Sequence, residues 1–503
     1  MKRKGIILTA VFVLWHLCCG NLWAAPTTAH QAEKVVKGWL KTAANPLGTP
    51  LGQQVKEVRT FTNNSKQPIY YIVYLQPNGF VIVSADNLIE PIIGFAEDGI
   101  YDPSPANPLG ALVTGDLNGR IESVRTGRPA RTKAGTGVSA EPQSKWSNFL
   151  GLAEVSEKEV GTLGSSTIDD VRVASLVQTR WYQKTCCSSP LLPCYNYYTP
   201  GDGNNGQGGA GFDNYWCGCV ATALAQIMRY HQWPNTGIGD SNHEIRVRNA
   251  KAFRRTRGGD GAGGAYNWAN MVLVPGCGTT DAQRQAIGAL CYDAGVAISN
   301  RVSGEYTYYN SGVTVAYTHS AKLGLTSDSN GFKYGNAIFG YNGGPNIGEG
   351  LIGMVNPNLD AGLPVYFGIN QSGSNGHAVV CDGYGYNAGT MYHHINMGWA
   401  GVSDAWYDLP DINSTPSSYN TLYETIYNIY KSGHGEVISG RVTDPAGNPI
   451  SNVDVSEMFL PGPSVVITHH TNAKGYTLST ASIPIPTSLF GRIKPAMSSA
   501  AHR

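Results

Sequence analysis

Residues 70–102 read YYIVYLQPNGFVIVSADNLIEPIIGFAEDGIYD, with runs of aromatic and β-branched residues on either side of Gln76, Pro77, Asn78 and Gly79. That pattern predicts a hairpin with a tight turn, and hence a folded module near the start of the chain. The period changes in YWCGCVATALAQIMRYHQWP, residues 215–234, where Val220, Leu224, Ile227, Met228 and His231 fall on one face of an α-helix that Trp233 and Pro234 end. Between these two regions, from about 103 to 170, the chain turns to Pro, Gly, Arg, Lys and Ser (GRPARTKAGTGVSAEP) and then to a polar, helical stretch. This composition predicts an exposed, cleavable linker. From Val171 to about Ser432 the texture is mixed α/β with Gly-rich loops. One of them, GDGNNGQGG at 201–209, matches G-x-G-x-x-G, but Pro200 stands where a strand should end and no helix opens from it, so it reads as a surface loop. From Gly435 short alternating segments broken by Pro-Ala-Gly-Asn and Asn-Ala-Lys-Gly turns predict a small β-sandwich, whose tail SLFGRIKPAMSSAAHR lacks the alternation of closing strands.

The amino terminus has a pattern of its own. Lys2, Arg3 and Lys4 precede an apolar run, Ile6 to Cys19, and then the small residues Ala24 and Ala25. This is the layout of a signal peptide, and the run is shorter than the ~20 residues that cross a bilayer. Export follows as the expectation, to the cell surface or beyond. The formal net charge of +1 and a charged fraction of 14% give no field that would favour nucleic acid or an anionic membrane. With Cys18 and Cys19 leaving with the signal, Cys186, Cys187, Cys194, Cys217, Cys219, Cys277, Cys291 and Cys381 remain. Disulfides are open to them in an oxidising compartment, but if one thiol stays free the rest cannot all pair internally. Cys217-x-Cys219 has the wrong spacing for a zinc knuckle, and neither a metal nor an organic cofactor is implied.

The helix chooses between its two leading cysteines. Cys219 stands at the first turn, where unsatisfied N–H groups and the positive end of the dipole favour a thiolate, while Cys217 lies outside. A nucleophile needs a base. His231 is about 18 Å along the helix from Cys219, His16 departs with the signal, and His469, His470 and His502 fall in or after the small β module. His377 has the right surroundings: it opens a strand from His377 to Asp382 that turns through Gly383–Gly385 and returns as MYHHINMGW. Asn396 on the returning strand is the natural orienter, since its amide oxygen can accept the imidazole N–H. His393 and His394 read as ordinary strand neighbours facing opposite ways.

GCVATALAQIMRYHQWP resembles the nucleophile helix of the streptopain family of papain-like cysteine peptidases. YNWANM, AIGALCYDAGVAIS, GHAVVCDGYG and INMGWAGVSDAWYDL resemble further segments of that family in the same order, and NGFVIVSADNLIEPIIGFAEDG resembles its inhibitory propeptide. The resemblance implies an α+β fold: a papain-like catalytic domain at 171–432, with helix-borne Cys and sheet-borne His and Asn, behind an α+β inhibitory propeptide and linker at 26–170. The segment 435–503 looks like a regulatory-type β module of the carboxypeptidase kind. It also implies a zymogen of a cysteine endopeptidase acting on protein or peptide substrates, with Cys219, His377 and Asn396 catalytic, Trp399 lining the site, and a bulky apolar residue preferred second on the amino side of the cut. Two positions depart from the family pattern. Met397 replaces a tryptophan, and Asp213 stands where a glutamine helps build the oxyanion hole; an ionised carboxylate cannot donate. These departures motivate the alternative of an exported binding or adhesion protein with an inactive peptidase domain.

Overall fold

The computed structural model describes residues 26–126, 141–155, 169–201, 214–300, 306–310, 313–341, 351–369, 376–409, 422–433, 435–445, 448–458, 466–473 and 475–480. The chain is α+β. Its first helix, α1 (Ala29–Leu40), starts at a capping box between Thr28 and Gln31 and buries Val35, Val36 and Trp39. Four antiparallel strands follow: β1 (Gln54–Thr62), β2 (Pro68–Gln76), β3 (Phe80–Ser84) and β4 (Ile92–Ala96). The expected hairpin is therefore present as β2 and β3, closed at Pro77–Gly79.

The next segment departs from expectation. Instead of an exposed linker, residues 108–125 form α2 (Pro108–Arg125), with Leu109, Leu112, Val113, Leu117 and Ile121 buried. Pro108 sits in the first turn, where its missing N–H costs nothing, and the Asn107 side chain accepts the Gly110 N–H as a cap. The polar stretch beyond is α3 (Glu141–Glu154), which buries Trp146, Phe149 and Leu152. Lys41 of the α1 end donates to the carbonyls of Leu152, Ala153 and Val155 at 2.9, 3.1 and 2.6 Å, holding α3 to the amino-terminal module. Most of the GRPARTKAGTGVSAEP stretch lies outside the described residues.

The second module opens with β5 (Asp169–Val173) and the hairpin β6 (Thr185–Ser188) and β7 (Leu191–Pro193), then α4 (Cys219–His231). A four-stranded sheet of β8 (Asn242–Val247), β9 (Ala250–Arg255), β10 (Tyr306–Asn310) and β11 (Val313–Ala316) surrounds α5 (Asp281–Val296) in the sequence. Then come α6 (Thr318–Thr326), β12 (Asn336–Tyr341), α7 (Leu351–Asp360), β13 (Val365–Ile369), β14 (His377–Asn387), β15 (Thr390–Asn396), β16 (Ala405–Tyr407) and β17 (Leu422–Tyr430). Alternation along β14 sorts the core: Ala378 and Val380 pack with α4 and α5, while Val379 and Cys381 pack with the amino-terminal module and α7.

The two modules share one sheet. β16 pairs with β4, Ala405 opposite Ala96, Trp406 opposite Phe95 and Tyr407 opposite Gly94, so the order runs β1-β2-β3-β4-β16-β15-β14-β13-β17-β12, with β5 on β14. β14 runs straight through Gly383 and Gly385, where a turn was expected; it turns instead at Ala388 and Gly389, both at positive φ. A Cβ at Gly383 would meet the Val173 carbonyl at 2.8 Å, so this glycine admits the β5 backbone rather than a bend. Downstream, β18 (Val437–Arg441) pairs with β21 (Tyr476–Thr480) and β19 (Asp454–Met458) with β20 (Val466–His470). Ser439 Oγ donates to Asp360 of α7 at 2.5 Å. Among the described residues no helix is long and apolar enough to cross a membrane.

A buried ion network crosses between the modules. Arg120 of α2 donates to Asp116 at 2.8 Å and to the Asp408 carboxylate and carbonyl at 2.7 and 2.6 Å, and Tyr407 OH donates to Asp116 at 2.7 Å. Burial penalises the Arg120 charge, but Asp116 and Asp408 outweigh it and hold it well above its ordinary range. Arg120→Ala leaves two buried carboxylates unpaired, so the precursor should lose ~3–5 kcal/mol of stability. Chemical denaturation of the uncut chain checks this; an unchanged midpoint would contradict it.

Candidate active site

Cys219 owes its position to the residue before it. Gly218 has φ 88°, a conformation glycine adopts freely, and from it the chain enters α4 with Cys219 as the first helical residue. Thr222 reinforces the entry, its N–H and Oγ1 both donating to the Gly218 carbonyl at 3.0 Å. Cys217 stays outside the helix and fully buried, its thiol 3.4 Å from Thr222 Oγ1. Cys219 carries a free thiol; the disulfide found joins Cys187 to Cys277, with S–S 1.98 Å.

His377 is the first residue of β14, opposite Ile369 of β13, and stands close enough to Cys219 for each group to shift the titration of the other. Burial pushes the Cys219 thiol up, but the bond and charge of His377, with the N–H groups of Ala378 and Val220, bring it below its ordinary value. Burial likewise pushes His377 down, and Cys219 together with the Pro105 carbonyl raises it above the usual imidazole range. Each shift favours the charged form of its group, so thiolate and imidazolium stabilise one another.

The third partner comes from the amino-terminal module. His377 Nε2 lies 2.7 Å from the carbonyl oxygen of Pro105, in the loop between β4 and α2. A carbonyl only accepts, so Nε2 carries the hydrogen. Pro105 thus takes the N–H that Asn396 was expected to take. Asn396 is next to the site but otherwise engaged: it stands opposite Val380, three residues along β14 from His377. Its Oδ1 accepts from Gln226 Nε2 and the Gly398 N–H, each at 3.0 Å, and its Nδ2 donates to the Thr179 carbonyl at 2.9 Å. Both lone pairs of Oδ1 are in use.

Trp399 stands in an aromatic cluster with Tyr182 and Trp216, ring centroids 5.3 Å from Tyr182 and 6.3 Å from Trp216. Trp216 leads directly into the nucleophile turn, so the cluster adjoins Cys219. Met397 is buried, and its N–H donates to Asp404 at 2.8 Å. Asp213 lies outside the described residues. Pairwise reading of the sequence missed Gln226, which ties α4 to Asn396 and also accepts from Thr179 Oγ1 at 2.9 Å. Its signal was a glutamine, fully buried, two turns beyond Cys219 on the same helix. His394 pairs with the buried Asp382 at 2.6 Å rather than joining the site. Among the described residues no group of three His, Cys, Asp or Glu gathers to hold a metal.

A thiol at a helix amino terminus beside an imidazole on a neighbouring sheet is the arrangement of thiol enzymes of papain-like architecture, which form a thioester with an acyl substrate. Comparison with known proteins agrees: residues 192–407 match the Peptidase C10 family and residues 24–114 the Spi protease inhibitor. The chain therefore carries a C10-family cysteine peptidase domain behind an inhibitor domain. It is 25% identical over 436 residues to streptopain of Streptococcus pyogenes serotype M1, covering 84% of this chain and 94% of that protein. It is equally 25% identical over 429 residues to the thiol protease/hemagglutinin PrtT of Porphyromonas gingivalis, covering 83% of this chain and 42% of that protein. A prointerpain A fragment from Prevotella intermedia shares the fold, with TM-score 0.53 at 20% identity over 74% of this chain and 98% of that one.

The ion pair has a measurable sign. A thiolate persists above the thiol's own pKa, so alkylation of Cys219 by iodoacetamide should continue as pH falls below the ordinary thiol range near ~8.5. In His377→Ala the bond and charge that chiefly oppose burial are lost and the N–H groups of Ala378 and Val220 remain, so alkylation at pH 6 should fall by at least about tenfold. Site-resolved mass spectrometry of the intact chain reads both; identical pH profiles would contradict the pairing.

Proposed function

We propose that the chain is the exported precursor of a cysteine endopeptidase acting on protein or peptide substrates, with Cys219 as nucleophile and His377 as general base and acid. The observation that carries this reading is the placement of Cys219 as the first residue of α4 with His377 beside it, each favouring the charged form of the other. The Cys219 thiolate attacks the scissile carbonyl. The oxyanion meets the Cys219 backbone N–H at the helix start, and His377 passes its proton to the leaving amine. Water, deprotonated by His377, then hydrolyses the thioester and frees the thiol. The cluster of Tyr182, Trp216 and Trp399 walls one side of the nucleophile turn. Likeness to streptopain along most of both chains supports the peptidase reading, and the family resemblance of the sequence motifs implies a bulky apolar residue second before the cut.

The same geometry supports latency. While Pro105 holds Nε2, the loop from Asp102 to Pro105 lies over the imidazole, where a substrate must approach. Release of the amino-terminal module frees Nε2, and Asn396 Oδ1 takes it by giving up Gln226, restoring an orienter from within the catalytic sheet. α3 is held by α1 and Lys41, whereas β5 is held by β14, so removal of the inhibitor places the cut between residues 155 and 169.

Two variants test this. The matured enzyme should hydrolyse casein, and Cys219→Ala should lower that rate by at least about 10³-fold; hydrolysis at the unsubstituted rate would refute the assignment. Gly110 of α2 packs on the inhibitory loop, and a Cβ there would lie 2.1 Å from the Asp102 carbonyl. Gly110→Val should therefore displace the loop from His377 and raise the uncut precursor's activity on a small peptide substrate severalfold. Unaltered precursor activity, with the variant shown folded by circular dichroism, would argue against this latch.

A further inference from the structure

Apart from the nucleophile, Cys186, Cys194, Cys217, Cys291 and Cys381 carry free thiols. Cys186 and Cys194 meet at the β6–β7 hairpin. There Thr185 stands opposite Pro193 and Cys187 opposite Leu192, which leaves Cys186 as the additional residue of a bulge. The Cys194 N–H, just beyond β7, donates to the Lys184 carbonyl at 3.4 Å, which sets Cys194 diagonally across the hairpin from Cys186 in one packed cluster, where each thiol shifts the titration of the other. Cys186 Sγ also lies 3.6 Å from the carbonyl oxygen of Gly276, the residue before Cys277, and 3.8 Å from that of Leu192. The thiol pair therefore adjoins the Cys187–Cys277 disulfide. Arg284 of α5 reaches the same place, donating to the Pro193 carbonyl at 3.3 Å. Cys186 is half-buried and Cys194 wholly buried, so one thiol can meet a reagent and the other can resolve it.

We propose that Cys186 and Cys194 are a redox pair that closes into a second disulfide beside Cys187–Cys277. The hydrogen bond from Cys194 lowers the Cys186 thiol against the opposing effect of burial, and the Arg284 charge helps, bringing it to about 7. At neutral pH it is therefore the attacking sulfur, while burial keeps Cys194 protonated. The oxidant is a low-molecular-weight disulfide. Cys186 thiolate attacks one of its sulfurs, forming a mixed disulfide and expelling one thiolate, which takes the Cys194 proton. The Cys194 thiolate then attacks Cys186 sulfur and expels the second thiolate, so two protein thiols lose two electrons and one disulfide becomes two thiols. The bond has a use for the active centre: it consumes the half-exposed Cys186 thiol, which would otherwise be available for mispairing with Cys219.

The test uses the full chain carrying Cys219→Ala, so that neither self-cleavage nor the nucleophile intervenes. The protein is incubated with oxidised glutathione, quenched in acid, unfolded and alkylated with N-ethylmaleimide, and each cysteine is read by mass spectrometry of peptic fragments. Alkylation of Cys186 and Cys194 should fall together by at least about tenfold, with the two found linked and Cys187–Cys277 intact. Adding Cys194→Ser should leave Cys186 as a stable glutathione adduct. Full alkylation of both thiols would overturn the pairing, as would a glutathione adduct that Cys194 does not displace, or a bond from Cys186 to Cys277. The outcome is independent of peptidase activity, so its failure leaves the proposed function standing, and the converse.

Discussion

An imidazole has two ring nitrogens, and a thiol peptidase needs both: one faces the sulfur, and the other is the handle that fixes the plane of the ring. In this chain the handle of His377 is held from outside the catalytic module, by the carbonyl oxygen of Pro105. The remaining contacts between the modules matter because they keep that carbonyl in place. A backbone acceptor suits the task, since it does not titrate and its position is set by the whole loop and by α2 behind it. The contact with Cys219 survives under these conditions, so the proposed latency works by covering and misdirecting the base, without dismantling the thiol–imidazole pair.

Holding a domain firmly and yet releasing it are opposed demands. Strand pairing between β4 and β16 is reinforced by hydrogen bonds from Trp39 to Asn387 at 2.7 Å and from Tyr392 to the Ile92 carbonyl at 2.8 Å, and by Lys145 bridging Glu90 and Thr390. Each neutral hydrogen bond is worth only ~0.5–1.5 kcal/mol net, so the grip is collective. The ion network of Arg120, Asp116 and Asp408 behaves differently. Its charges are costly to separate while buried, but cost little once water reaches them, so it resists partial opening and tolerates full departure.

The two residues proposed as the catalytic pair could be picked out in the sequence because each carries a local signal. Cys219 follows from the apolar period of α4, and His377 from the alternation of β14 and the returning strand that carries Asn396. The orienter was not legible in the same way. Asn396 lies where expected in the sheet, but the partner of its amide is decided by Gln226 and Gly398 and by a loop some 290 residues earlier in the chain, and no periodicity encodes such contacts. Two errors of texture have physical causes. Pro and Gly in residues 103–126 suggested a linker, yet Pro108 opens a helix and Gly110 admits the loop backbone that reaches His377. Gly383 and Gly385 suggested a turn, yet they are the places where β5 and β14 approach too closely for a Cβ. Glycine marks close approach as readily as it marks a bend, and the sequence alone does not separate the two.

A crystal structure of the uncut precursor measures the central contact directly. The account predicts His377 Nε2 within about 3.2 Å of the Pro105 carbonyl oxygen, with the other ring nitrogen facing Cys219 sulfur. An imidazole already bonded to Asn396 Oδ1, with the loop from Asp102 to Pro105 standing away from it, would contradict the account.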